Sequence, residues 1–180
     1  MKREVGKTTI NGRLDLKRFI LLAWLAVPAF AAEPVVFVSA FGSGEKAGIH
    51  AFGFDTKNGT LKERQTIATL PKDFTGKSHT ADLKITPDGK HLYGTNRGHD
   101  SLAAYRIAED GTLTLLAIQP SGGKGPQNLL ITPDGRWLLC ANMPGNNVVV
   151  FQIDAASGSI TPNGEPVEVP MASCIRWMEK

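Results

Sequence analysis

Asp82, Arg97 and His99 are the residues of this chain whose types and spacing could do chemistry. A carboxylate or an imidazole can take a proton from water, and a guanidinium can hold the negative oxygen that develops when water adds to a carbonyl carbon. Arginine also grips phosphate or carboxylate in a bidentate fashion, and histidine moves protons near neutral pH. Each residue has a structural use as well: Asp82 can cap the end of a strand, Arg97 can sit exposed on a loop, and His99 suits the Gly98-His99-Asp100 turn. His79 reads as a surface residue.

Lys124 and Asn128 are candidate substrate contacts. Lys124 lies in Gly122-Gly123-Lys124-Gly125, a loop whose amides could cradle a phosphate, or which could simply cross between elements. Ser78, Ser101 and Ser121 lack the G-x-S-x-G context of a serine nucleophile. No Cys/His cluster or acidic group points to a metal, and no cofactor is expected.

The elements that must position these residues are written twice. Asp82 to Ile107 reads DLKITPDGKHLYGTNRGHDSLAAYRI, and Asn128 to Ile153 reads NLLITPDGRWLLCANMPGNNVVVFQI, without a gap at an offset of 46 residues. Each copy predicts strand, Thr-Pro-Asp-Gly turn, strand, Asn-containing turn, strand, then a fourth strand after a Gly turn. That period fits four-stranded propeller blades, which cannot bury their faces alone. Where one copy has Asp82, Arg97 and His99 the other has Asn128, Met143 and Gly145, so the repeat itself does not require the reactive types. Both Thr-Pro-Asp-Gly motifs are explained as tight turns, since Pro presets φ and Gly accepts a positive one.

Val35 to Ala68 resembles the repeat from its second strand onward. The segment 173–178 falls where another blade's first strand is due, and it is expected to pair with 35–39 or lie beside it as an open edge. The fold class is therefore all-β: about three four-stranded antiparallel blades of a partial propeller, following an N-terminal signal helix. Three blades leave faces and strand edges uncovered, which implies self-association or poor stability.

Residues 1–31 read as a secretory signal, with a basic start, an apolar run from Phe19 to Val27 and an Ala29-Phe30-Ala31 cleavage site. Residues 32–180 form the propeller domain, and the protein is expected to be exported, periplasmic or secreted. The apolar run is too short for a membrane span, so none is expected after cleavage. The leader holds six basic and two acidic side chains, so its removal takes the formal charge from +3 to −1 and leaves no argument for a nucleic-acid partner. Two cysteines, Cys140 and Cys174, permit a disulfide in an exported chain, although Cys140 sits in an apolar strand.

Ser78 to Gly89, Leu92 to Asp100, Gly122 to Asn128 and Val167 to Pro170 together resemble the lactonase-family seven-bladed propellers, typified by the propeller-type 6-phosphogluconolactonase. Val36 to Ala68 looks like that family's opening segment and Leu70 onward like its last two blades, so the chain looks internally shortened. The resemblance implies hydrolysis of a sugar-acid lactone at one mouth of the central channel, without metal, and it marks Asp82, Arg97 and His99. At Gln127 the family usually has arginine, which weakens the case for a phosphorylated substrate. Three readings stand open: a lactonase acting on a small lactone, a non-catalytic exported segment that binds a ligand or forms a homo-oligomer, and a shortened inactive product.

Overall fold

The computed structural model describes residues 33–41 and 47–180. The proposed signal segment 1–31 lies outside the described residues. Twelve strands follow in chain order: β1 (Val35–Ala40), β2 (Gly48–Asp55), β3 (Thr60–Ile67), β4 (His79–Ile85), β5 (His91–Arg97), β6 (Ser101–Ile107), β7 (Leu113–Pro120), β8 (Pro126–Ile131), β9 (Trp137–Asn142), β10 (Asn147–Ile153), β11 (Ile160–Pro162) and β12 (Val167–Glu168). Among the described residues there is no helix.

The strands form three antiparallel blades, β1-β2-β3, β4-β5-β6-β7 and β8-β9-β10 with β11 and β12 along the outer edge. Every neighbouring pair within a blade is antiparallel, and consecutive strands of the two repeats are joined by short turns. In each of the two repeats the turn between the first two strands is Thr-Pro-Asp-Gly: Gly89 and Gly135 take φ of 72° and 70°, and each donates its amide to the carbonyl of the turn's threonine at 2.8 Å. Asp88 and Asp134 also accept from the threonine hydroxyls, which closes the turn with a side chain. The fourth strand of the last blade is split, because β11 pairs with the far half of β10 and β12 with the near half.

The core lies between blades. Tyr93, Leu102, Leu129, Leu138, Cys140 and Phe151 pack the second blade on the third, while Ile49, Leu92, Ala103 and Tyr105 pack the first on the second. The two tyrosines are fully buried and their hydroxyls donate across the seams, Tyr93 to the Gly158 carbonyl at 3.0 Å and Tyr105 to that of Ala68 at 2.7 Å. A buried phenol that kept no acceptor would cost the fold free energy, so each tyrosine acts as a polar pin inside an apolar contact.

β4 packs between β1 and β8, which sets the inner line of the blades. The segment 173–178 corrects the sequence expectation. It forms no strand and has no pairing with β1; instead the amide of Ile175 donates to Asn128 Oδ1 at 2.8 Å, which places it beside β8. The reason is blade order. The segment continues from the third blade, so its neighbour is that blade's inner strand, while β1 lies on the far side of β4. Cys140 and Cys174 are free, one buried and one exposed.

Candidate functional site

The site begins with two β-bulges. Between β4 and β5 the register slips from Thr80 to Leu83, and between β8 and β9 it slips from Pro126 to Asn128. In the first bulge, Thr95 Oγ1 accepts from the amides of Ala81 at 3.2 Å and Asp82 at 3.0 Å, so the extra residues keep hydrogen-bond partners. A bulge re-aims a side chain away from the ordinary pleat. Here it sends Asp82 toward the next blade and Asn128 toward the following segment.

Asp82 is fully engaged. Its carboxylate accepts from Asn128 Nδ2 at 2.6 Å and from the Leu129 amide at 2.8 Å, and it pairs with Lys84 Nζ at 2.6 Å while also accepting from the Leu83 amide. Asn128 repeats the arrangement through Ile175. These are stitches between inner strands. A carboxylate so occupied holds neighbouring blades together, and it has little capacity left to take a proton from water.

Arg97 and Lys124 do come together. They line an open groove of about 380 Å³ with Lys77, His79, Asp100 and Pro144. The groove sits at the end of the blades opposite the Thr-Pro-Asp-Gly turns, where β5 ends and β4 and β8 begin. Arg97 Nη1 donates to Gln127 Oε1 at 2.7 Å, which aims the guanidinium along the groove wall. Among the described residues Lys77, Arg97 and Lys124 make no ion pair, so the groove carries unopposed positive charge apart from Asp100. Asp100 joins its two sides: its Oδ1 accepts from the amides of Gly98 at 3.1 Å and Gly125 at 2.8 Å. Gly98 is required here, because at φ 105° an added Cβ would stand 2.3 Å from the Lys77 carbonyl oxygen.

His99 does not line this groove. Its ring meets Phe74 edge-on at 4.7 Å, and Nδ1 lies 2.7 Å from Ser101 Oγ. The imidazole that does line the groove is that of His79, which is exposed and meets Phe41 edge-on at 5.1 Å. Sequence reasoning set His79 aside as a surface residue. The available signal was its place at the start of a repeat strand, where the β4–β5 register sets it opposite Arg97. The groove can thus attract an anion or a polarised carbonyl and can offer one imidazole beside it, and its size suits a single small ring. Among the described residues no group of histidine, cysteine and acidic side chains could hold a metal ion.

Residues 44–177 match the family described as "Lactonase, 7-bladed beta-propeller". The 6-phosphogluconolactonase of Bacillus subtilis is 28% identical over 131 residues, covering 72% of this chain and 38% of the enzyme. A crystal structure of a putative 6-phosphogluconolactonase from Bacteroides fragilis is 31% identical with a TM-score of 0.68, over 81% of this chain and 41% of that one. The periplasmic gluconolactonase of Pseudomonas aeruginosa is 29% identical with a TM-score of 0.69, over 79% of this chain and 41% of that one. The chain spans about two fifths of the length of these relatives.

Proposed function

This chain belongs to the lactonase family of seven-bladed β-propellers, and from that membership we propose that it is a lactonase that opens the ring of a sugar-acid lactone with water. The observation that carries the reading is the groove in which Arg97, Lys124 and Lys77 converge around His79. Water adds to the lactone carbonyl carbon as the imidazole of His79 takes its proton. Arg97 stabilises the oxyanion of the tetrahedral intermediate, the bond to the ring oxygen breaks, and the departing alkoxide is protonated to give the hydroxy acid. Lys124 and Lys77 hold the polar end of the sugar. Asp82 and Asn128 act as positioning residues, bracing the strands from which the groove rises, and His99 lies behind the groove wall.

The substrate we assign is an unphosphorylated lactone such as glucono-δ-lactone. Gln127 stands where a second arginine would grip a phosphate, and one relative is by name a periplasmic gluconolactonase. Export of this protein, through the leader at residues 1–31, accords with the same substrate. The test is hydrolysis of glucono-δ-lactone by the purified protein, corrected for spontaneous ring opening. Rates equal to the uncatalysed background would remove the enzyme reading.

One observation favours a second reading, a module that binds or assembles with a second copy. Among the described residues β1 pairs with a strand on one side only, and its Val38 and the adjoining Phe41 are exposed. Uncovered apolar side chains beside a free strand edge favour association. The mass of the protein in solution separates the readings, with a monomer ruling out the assembly.

A further inference from the structure

Three buried side-chain atoms, Ser78 Oγ, Thr80 Oγ1 and Asn96 Oδ1, have no hydrogen-bond partner among the described residues, and all three line one cavity of about 20 Å³ between the first and second blades. A buried polar atom without a partner loses the hydrogen bonds it had to water and is destabilising. Three such atoms converging on one space are not a packing accident that the fold could ignore. The cavity has room for about one water, which needs roughly two to four polar partners. We propose that this cavity binds a single structural water, held by Ser78, Thr80 and Asn96, and that this water anchors a hydrogen-bond relay ending at His99.

The chemistry of the relay follows from donors and acceptors. Asn96 Nδ2 donates to the Thr69 carbonyl at 2.7 Å, and a carbonyl can only accept, so the amide orientation is fixed. Oδ1 therefore faces the cavity as an acceptor, and the water must donate to it. Nδ2 also donates to Ser101 Oγ at 3.1 Å. Ser101 is 1% exposed, and the remaining partner of its hydroxyl is His99 Nδ1 at 2.7 Å. Nδ1 is the one group among these two partners that can accept the buried hydroxyl proton; with the proton directed there, neutral His99 carries its own on Nε2. In that tautomer His99 offers a donor at its free edge. The relay also ties down the turn 97–101, which carries Arg97.

The neighbouring blade shows what this position looks like without the water. At the repeat offset of 46 residues, Ser78 and Thr80 become Lys124 and Pro126, and Asn96 becomes Asn142. There the backbone of Gly123 fills the space: a Cβ on it would stand 2.6 Å from the Asn142 amide. Asn142 instead donates to the Ser121 carbonyl and to Asn147 Oδ1, and its own oxygen accepts from the Cys140 thiol. In that blade the amide oxygen has the Cys140 thiol as its donor; at the corresponding place of the second blade stands Gly94, and Asn96 Oδ1 has no partner among the described residues.

The inference stands apart from lactonase activity and is tested without it. A high-resolution crystal structure of the protein is expected to show one water within about 2.6–3.2 Å of all three atoms. A long-range nitrogen–proton correlation spectrum is expected to place the neutral His99 proton on Nε2. Ser101→Ala is expected to raise the Nδ1–H fraction roughly tenfold, the equivalent of one hydrogen bond. An empty cavity, pairing of the three atoms with one another, or an Nδ1–H tautomer in the wild type would overturn the proposal. Both wild-type measurements decide it even if the variant does not fold.

Discussion

His79 and Arg97 stand opposite one another across the β4–β5 ladder. Side chains at directly opposed positions leave a sheet on the same face, so the imidazole and the guanidinium enter the groove together, one from the strand that begins the blade and one from the strand that returns. Lys124 reaches the same groove from the next blade, across the clamp that Asp100 makes with Gly125. A site assembled across a blade boundary depends on both the ladder and the boundary.

Arg97→Ala is expected to lower kcat/KM for glucono-δ-lactone by about 10²–10³, the range for loss of one oxyanion donor. His79→Ala should lower kcat and flatten the acid limb of the pH profile, whereas His99→Ala should leave that limb in place. Steady-state assays at several pH values check all three. A flattened limb for His99→Ala alone would move the base from His79 to His99.

Gln127→Arg would set a second guanidinium beside Arg97 in place of the present hydrogen bond. The expected outcome is a preference shifted about tenfold toward a 6-phosphorylated lactone over the unphosphorylated one, because a paired fork suits phosphate. Competition between the two substrates measures it.

Asp82→Ala should destabilise the protein by about 2–4 kcal/mol, since it strands the Leu129 amide, the Asn128 amide group and a partly buried Lys84 at once. Chemical denaturation gives the value. Unchanged stability with lost activity would return Asp82 to the chemistry.

The pH dependence of stability should carry the mark of His91. Burial pushes its pKa below the ordinary value of 6.5, with Arg106 and Lys90 acting the same way and Asp88 and Asp154 opposing them. The unfolded chain therefore binds the proton more readily than the folded one. Stability is full above about pH 6.5 and falls as the pH drops below it, levelling once the folded-state pKa is passed. Melting temperatures across that range should decline, and His91→Gln should reduce the slope.

Thiol reactivity should separate the two cysteines. Burial, and secondarily the charge of Asp82, pushes the Cys140 thiol up to about 12. Cys174 is exposed. A native-state thiol titration should find Cys174 reacting quickly and Cys140 only after unfolding.

The repeat made the blades legible: the offset between Asp82 and Asn128, the two Thr-Pro-Asp-Gly turns and the strand order all stand in the structure as read. The groove was legible in part. Arg97 and Lys124 meet, but His99 turns toward Phe74 and Ser101, which composition and spacing do not encode because the rotation is set by Asn96 behind it. The partners of Asp82 were not legible for a related reason. They lie 46 and 47 residues away, and a bulge points Asp82 at them. That both copies carry a side-chain oxygen at this place was the one available sign of a structural use.

The stitches between inner strands also have a direction. Ionised aspartate only accepts, so Asp82 can receive from the blade that follows it and can give nothing to the one before. Asparagine does both: Asn128 gives its amide hydrogen to Asp82 and takes one from Ile175. Cys174, at the next repeat offset, brings no strong acceptor. Along the line of inner strands, the three side chains form an arrow with a source, a link and a stop. The handed order of the blades is thus stored twice, in chain connectivity and in which way the protons point. Asp82→Asn would keep the arrow while removing its charge, whereas Asn128→Asp would set two acceptors against each other and break it.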